Sequence, residues 1–121
     1  ISIREHPFFE RDGPDLHCQV PISFSQATLG TEVDVPTLEG KVKLKIPEGT
    51  QTGKVLRLRG KGMPSLRSQG RGDQLLHIFA EVPTRLSKRQ RELVEEFAAE
   101  GGEEVSPVTR GFLEKLRDLF E

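Results

Sequence analysis

Residues 33–46, VDVPTLEGKVKLKI, carry the pattern that decides the fold of this chain. Apolar and charged residues alternate over 41–46, and successive side chains of a strand point to opposite faces, so this segment is predicted to be a half-buried strand. The apolar face consists of Val42, Leu44 and Ile46, and the charged face consists of Lys41, Lys43 and Lys45. Glu39-Gly40 marks a turn before it, since glycine accepts the positive φ of a tight hairpin. The stretch therefore predicts a β-hairpin with one face on a core.

The same alternation continues on both sides of the hairpin. Residues 16–22 (LHCQVPI), 54–59 (KVLRLR) and 74–82 (QLLHIFAEV) are predicted to be strands, and the last is apolar on both faces, which favours a central strand or one that covers a groove. Between the first strand and the hairpin, Ser25 is an N-cap candidate and Gly30 a stop signal for one short helix. This part of the chain is therefore predicted to be mainly β.

Two helices are predicted after the strands. Ser87 is followed three residues later by Gln90, which is a capping-box pattern, and an amphipathic helix is predicted over 85–100. Its apolar stripe consists of Leu93, Val94, Phe97 and Ala98. Residues 101–107 form a glycine-rich acidic linker, and 108–121 are predicted to be a second amphipathic helix.

The second helix has five large apolar side chains on one side: Phe112, Leu113, Leu116, Leu119 and Phe120. An isolated helix of this length is marginal in water, so this side must pack on something. Burial contributes roughly 1.5 to 3 kcal/mol per side chain, against an association cost on the order of 4 to 15 kcal/mol. The helix either folds back over its own domain or pairs with a second chain, and the flexible linker favours pairing.

The whole chain sets limits on its function. At 121 residues it has room for one compact domain plus an appendage, and its net charge of -1 argues against a dedicated nucleic-acid domain. Cys18 is the single cysteine, which excludes an internal disulfide, and no secretory signal or long apolar run is apparent. We expect a cytoplasmic protein without a membrane partner. Because Ile1 begins within an alternating pattern and no initiator Met precedes it, we also expect a fragment of a longer protein.

Residues 57–73, RLRGKGMPSLRSQGRGD, suggest either a phosphate-binding loop or a nucleic-acid patch. The first interpretation fails because Gly60-Lys61-Gly62 is followed by Met63-Pro64, and the proline blocks the helix that would hold the anion. Six cations lie between Lys54 and Arg71, and Asp73 is the single acidic residue near them before the next strand, which favours a nucleic-acid patch. The stretch, however, lacks an aromatic residue for base stacking. Solvated cations are the favoured interpretation, and an RNA-associated β domain stays open as the alternative.

The sequence has few candidate metal-binding or catalytic residues. His6, His17 and His77 are far apart in sequence and match no metal-ligand spacing, so neither a metal nor another cofactor is predicted. His77 falls on the less apolar face of its strand and is interpreted as structural. Cys18 alternates with core residues and is interpreted as a small hydrophobic residue rather than a reactive thiolate. We identify no catalytic residue, and we expect the chain not to be an enzyme.

Four sequence blocks together resemble the C-terminal region of the DnaJ co-chaperone family: HPFFERDGPDL, QATLG, PEGTQTGKVLRLRGKGMP and GRGD. The resemblance covers residues 1–100 and implies a mainly β fold, a two-layer β-sandwich-like subdomain with one short helix, followed by two C-terminal helices. It places the subdomain at residues 5–84, the second of two that hold unfolded clients. Residues 1–4 would be the last strand of the preceding subdomain.

The resemblance also implies functional residues and partners. Phe9 matches the aromatic residue that helps line the client-binding groove of the family's first subdomain, and Phe8 and Phe9 are both candidates for client binding. A hinge contact between subdomains is an equal alternative for both. The helix at 108–121 stands where the family places its dimerisation element, which implies a homodimer. The implied partners are unfolded or misfolded polypeptides and a DnaK-type ATPase, reached mainly through a J domain. His6-Pro7 is followed by Phe8 and so lacks the His-Pro-Asp signature of that domain, and the C-x-x-C zinc module has no counterpart here.

Overall fold

The computed structural model describes residues 8–64, 70–101 and 105–120. The chain divides into two compact units, Ile1–Pro83 and Thr84–Glu121. The strand expected at residues 1–4, part of the linker expected at 101–107 and the last residue of the terminal helix fall outside the described residues.

The described part of the first unit contains six strands and one short helix. In chain order these are β1 (Glu10–Asp12), β2 (Asp15–Ser23), α1 (Phe24–Leu29), β3 (Thr31–Thr37), β4 (Gly40–Ile46), β5 (Val55–Leu58) and β6 (Gln74–Glu81). The second unit contains α2 (Lys88–Ala99) and α3 (Pro107–Phe120). The predicted fold class, mainly β with one short helix and two C-terminal helices, is confirmed.

A four-stranded sheet in the order β1-β2-β6-β5 forms one layer. Its two central strands, β2 and β6, are parallel, with Cys18 opposite Leu76. Because parallel strands need a long connection, the intervening chain crosses over through α1, the hairpin and β5. The prediction that β6 is central is confirmed, although only one of its faces is buried. Phe79, on the other face, is 41% exposed.

The β3–β4 hairpin forms the second layer and follows the predicted register. Val35 lies opposite Val42, and Gly40 has a φ of 118°, which a side chain would strain. The Thr37 hydroxyl stabilises the turn, because Oγ1 donates to the carbonyl of Gly40 at 2.7 Å and accepts from the amide of Glu39 at 3.1 Å. Backbone and side-chain hydrogen bonds together therefore stabilise the hairpin.

One hydrophobic core lies between the two sheets. It combines alternate residues of β2 and β6 with the inner faces of β3 and β4 and with Ala27 of α1. Its buried members are Phe9, Leu16, Cys18, Val20, Ile22, Ala27, Val35, Leu44, Ile46, Leu76 and Ile78. The three lysines of β4 are all exposed on the opposite face, as the alternation predicts. The alternation of apolar and polar residues along the strands therefore explains which side chains of each layer face the core.

The N-cap of α1 differs from the prediction, because the capping residue is Ser23 and not Ser25. The Ser23 hydroxyl accepts from the amide of Gln26 at 3.2 Å, and Gln26 Oε1 accepts from the amide of Ser23 at 2.9 Å. This reciprocal capping box needs a Gln or Glu three residues after the cap, and Ser25 has Thr28 there. The helix ends before Gly30, as predicted.

The second unit begins with the predicted capping box. The Ser87 hydroxyl accepts from the amide of Gln90 at 3.1 Å, and Gln90 Oε1 accepts from the amide of Ser87 at 2.8 Å. Helix α3 starts at Pro107, one residue earlier than predicted, because proline is well suited to the first helical position. Among the described residues, no helix is long and apolar enough to cross a membrane.

Candidate functional site

The two adjacent phenylalanines near the start of the described chain have different environments. The ring of Phe9 is buried in the core at 8% exposure, whereas Phe8 is 57% exposed. The two rings lie on the turn and loop just before β1, and only Phe9 reaches the core. Phe8 is therefore the residue of the pair whose ring is mostly exposed.

Helix α3 presents a continuous exposed apolar face. At about 100° of rotation per residue, Phe112, Leu116 and Phe120 follow one another along it, and Leu113 and Leu119 border it. All five residues are exposed, from 40% for Leu113 to 79% for Phe120. The face covers an arc of about 120°, which is as wide as the core-facing stripe of an amphipathic helix. Its dimensions suit packing against another helix.

The second unit also has a charged side on α3 and an apolar stripe on α2. On the polar side of α3, Arg110 Nε donates to Glu114 Oε1 at 3.3 Å, one helical turn apart. Helix α2 has a shorter apolar stripe, and its members Leu93, Val94 and Phe97 are also exposed. Large apolar side chains are thus available on both helices.

The cations of the glycine-rich segment are partly neutralised within the first unit. Arg57 lies 3.2 Å from Asp73, as the sequence suggests. Lys61 lies 3.6 Å from Glu39 and Arg71 pairs with the same carboxylate, so the hairpin turn supplies a second counter-charge. Asp73 is the acidic residue of the stretch itself, and the fold adds Glu39 from the hairpin turn. Fewer unpaired cations therefore remain to bind phosphate among the described residues, and the RNA-associated alternative is not supported. Arg67 lies outside the described residues.

The backbone around this segment is closely packed. The amide of Met63 donates to the carbonyl of Pro14 at 2.7 Å, and the amide of Gly72 donates to the carbonyl of Met63 at 2.8 Å. A side chain at Gly62 or Gly72 would overlap the same Pro14 carbonyl oxygen, so both positions require glycine. Asp73 Oδ1 accepts from the amide of Gly60 at 2.9 Å. These contacts support the interpretation of residues 60–64 as a turn rather than a phosphate cradle.

The structure brings together two histidines that the sequence leaves apart. His17 Nδ1 and His77 Nε2 lie 2.7 Å apart, and the two rings lie end to end with centroids 5.0 Å apart and planes inclined by 27°. Asp12 Oδ2 lies 3.7 Å from His17 Nε2, on the other side of that ring. Sixty residues separate the histidines, so only the parallel pairing of β2 with β6 could have indicated this cluster.

Cys18 is in the core, 3% exposed, as the alternation predicts. Burial raises the pKa of the Cys18 thiol, because desolvation disfavours the charged thiolate. The thiol is therefore a poor nucleophile. Within residues 8–64, 70–101 and 105–120, no three or more His, Cys, Asp or Glu side chains are grouped so as to hold a metal ion.

The two-layer subdomain, its glycine-shaped turn and the two helices that follow define a class of protein. A family model described as "DnaJ C terminal domain" matches residues 1–83, and a second, "Chaperone protein DnaJ C-terminal region", matches residues 89–121. The chain therefore belongs to the family of DnaJ C-terminal domains.

Curated relatives with the name "Chaperone protein DnaJ" are similar along the whole chain. The relative from Syntrophotalea carbinolica is 54% identical over 120 residues, covering 99% of this chain and 32% of the relative. The one from Neisseria gonorrhoeae is 54% identical over 123 residues, covering 100% and 33%. The one from Acetivibrio thermocellus is 51% identical over 120 residues, covering 99% and 31%. The chain thus spans about a third of the length of these relatives.

Proposed function

We propose that this chain is a non-catalytic module of a DnaJ-type co-chaperone, which binds unfolded or misfolded polypeptides and forms a homodimer. The observation that carries the proposal is the exposed apolar face of α3. The family and the relatives' names support the chaperone role. In this proposal the clients pass to a DnaK-type ATPase, which is engaged mainly through a J domain in another part of the protein.

The dimer is supported by the size of the α3 face. Burying five large apolar side chains contributes up to about 7 to 15 kcal/mol, using roughly 1.5 to 3 kcal/mol for each. This range overlaps the cost of association, on the order of 4 to 15 kcal/mol. Pairing two copies also places two client-binding arms on one molecule, which raises affinity through effective concentration.

The client contact is assigned to Phe8, with Phe9 supporting it from the core. The exposed ring of Phe8 suits clients whose common feature is exposed apolar sequence, and the burial of Phe9 fixes the backbone beside it. The resemblance of Phe9 to a groove-lining aromatic of the family supports this assignment. We assign the molecule to the cytoplasm, where a single buried thiol stays reduced.

Sedimentation equilibrium of the intact chain tests the dimer. We expect a dimer, and we expect the double variant Phe112→Asp/Leu116→Asp to be a monomer, because two carboxylates in a buried interface oppose association. The matched control is Leu93→Asp/Phe97→Asp, which makes the same chemical change on the apolar stripe of α2. A monomeric wild type, or loss of the dimer in the control alone, would contradict the assignment to α3.

Fluorescence anisotropy with a labelled, permanently unfolded polypeptide tests the client contact. We expect Phe8→Ala to weaken binding about tenfold, since an exposed aromatic contact contributes on the order of 1 to 2 kcal/mol. Phe24→Ala is the control, because Phe24 is another exposed ring of the first unit. Equal affinity in the wild type and Phe8→Ala would refute the role of Phe8 without affecting the dimer.

A further inference from the structure

The outer face of the four-stranded sheet, which turns away from the core, carries a group of exposed apolar side chains. Pro21 of β2 lies directly opposite Phe79 of β6, and Val55 of β5 lies opposite His77 of β6. Phe79 and Val55 are 41% and 44% exposed, and Pro21 is exposed as well. Diagonal neighbours on one face of a sheet are within reach of large side chains. Pro21, Phe79 and Val55 therefore form one apolar surface, the outer patch.

The backbone under the outer patch is firmly held. Its central strands β2 and β6 bury their inner side chains in the core. On the outer face, the 2.7 Å contact between His17 Nδ1 and His77 Nε2 joins the same two strands beside the patch. A partner therefore meets a surface that is already formed, and its binding does not require the sheet to rearrange.

Carboxylates lie at both ends of the outer patch. Glu10 and Asp12 of β1 lie towards one end of the face, and Glu81 of β6 lies at the other end. All three residues are exposed. Arg57 is the cation that the four strands place on this face, and it is paired with Asp73 at 3.2 Å. The face thus combines an apolar centre with a negative charge at each end.

We propose that the outer patch binds a client segment in which a short apolar run is flanked on both sides by lysine or arginine. The proposal rests on the proposed function, since it takes the occupant to be an unfolded polypeptide. The rows of Glu10 and Glu81 are six residues apart along β2, from His17 to Ser23, which is about 20 Å. An extended segment of about six residues spans this length and brings a cation to each end.

The charges of the two layers select this occupant and this face. A second copy of the outer face would place carboxylates against carboxylates, so like charges oppose pairing of the face with itself. The outer face of the β3–β4 hairpin carries Lys41, Lys43 and Lys45 beside Glu32 and Asp34. That face does not attract a cationic segment in the same way, so the segment is expected on the four-stranded sheet.

Fluorescence anisotropy of the whole chain with a labelled peptide tests the proposal. The probe has five leucine and alanine residues between two pairs of lysines, and its counterpart has glutamates in place of the lysines. We expect the lysine peptide to bind about tenfold more tightly than its counterpart, with an affinity that falls as salt is raised. Glu10→Lys/Glu81→Lys, at two exposed positions, should weaken its binding about tenfold, and Phe79→Ala about fivefold.

Two controls separate this patch from other effects. Glu32→Lys/Glu48→Lys makes the same change of net charge away from the outer face and should keep the affinity for the lysine peptide within about twofold. Phe8→Ala should also keep it. Equal binding of the two peptides, an equal loss in the two double variants, or a loss in Phe8→Ala without one in Phe79→Ala would overturn the proposal. A lysine peptide that fails to bind overturns the outer patch alone, because the permanently unfolded polypeptide tests the proposed function separately.

Discussion

The side-chain amide of Gln74 joins the two sheets, because its Nε2 donates a 2.8 Å hydrogen bond to the main-chain carbonyl of Pro36. Gln74 is the first residue of β6 and is fully buried, whereas Pro36 belongs to β3 in the other layer. Gln74 Oε1 is also buried and accepts no hydrogen bond from the described residues. The amide therefore links the two layers at this point.

Gln74→Glu should destabilise the first unit by about 3 kcal/mol at pH 7, because a buried carboxylate loses the donor to Pro36 and its own hydration. Burial raises the pKa of a carboxyl, so the loss should be smaller at pH 4, where the protonated group donates again. Urea unfolding at both pH values measures this. Gln74→Leu, which cannot ionise, is the control, and an equal loss at both pH values for Gln74→Glu would contradict the account.

Gly72→Ala should cost about 3 kcal/mol or more of unfolding free energy, because the added methyl group overlaps the carbonyl oxygen of Pro14 and the backbone must move. Gly111→Ala makes the same change within α3, where the methyl group meets nothing within 4 Å. It should stabilise that helix by up to about 1 kcal/mol. Thermal unfolding of both variants checks these opposite signs, and a neutral Gly72→Ala would refute the close packing.

The Glu39–Arg71 pair connects the hairpin turn to the segment before β6. Both side chains are partly exposed, so a double-mutant cycle with Glu39→Ala and Arg71→Ala should give a coupling of about 0.2 to 1 kcal/mol. The coupling should fall at 1 M salt, where charges on the surface are screened. Lys43 with Glu39 provides the control cycle, since no ion pair joins these two residues. A larger coupling in the control would contradict the pairing.

Cys18 should react with a thiol reagent at least about 100-fold more slowly in the folded chain than in urea, because reaction requires the core to open. The raised pKa of the folded thiol has a further consequence. The folded state holds this proton more tightly, so the free energy of unfolding should fall as the pH rises above about 8.5. Cys18→Ala should remove that part of the slope, and rapid labelling of the folded wild type would refute the burial.

Local sequence patterns determined the hairpin, the main strands and both C-terminal helices. In β4 the alternation of Lys43 and Leu44 needs only the period of a strand, and the Ser87/Gln90 capping box spans one helical turn. The N-cap of α1 shows that a serine alone does not identify the capping residue. Ser23 caps the helix because Gln26, three residues later, bonds back to it, whereas Ser25 has Thr28 at that spacing. The strand β1 carried no such signal, since its three residues are all charged and exposed.

Tertiary structure alone decided the contacts that join distant segments. Glu39 meets Arg71, Gln74 meets Pro36 and His17 meets His77 because the crossover makes β2 and β6 parallel and lays the hairpin over them. The amino-acid sequence determined which side chains face a core, because that depends on periods of 2 and 3.6 residues. It did not determine which strands pair, because many pairings bury the same apolar faces and only the packed core selects among them.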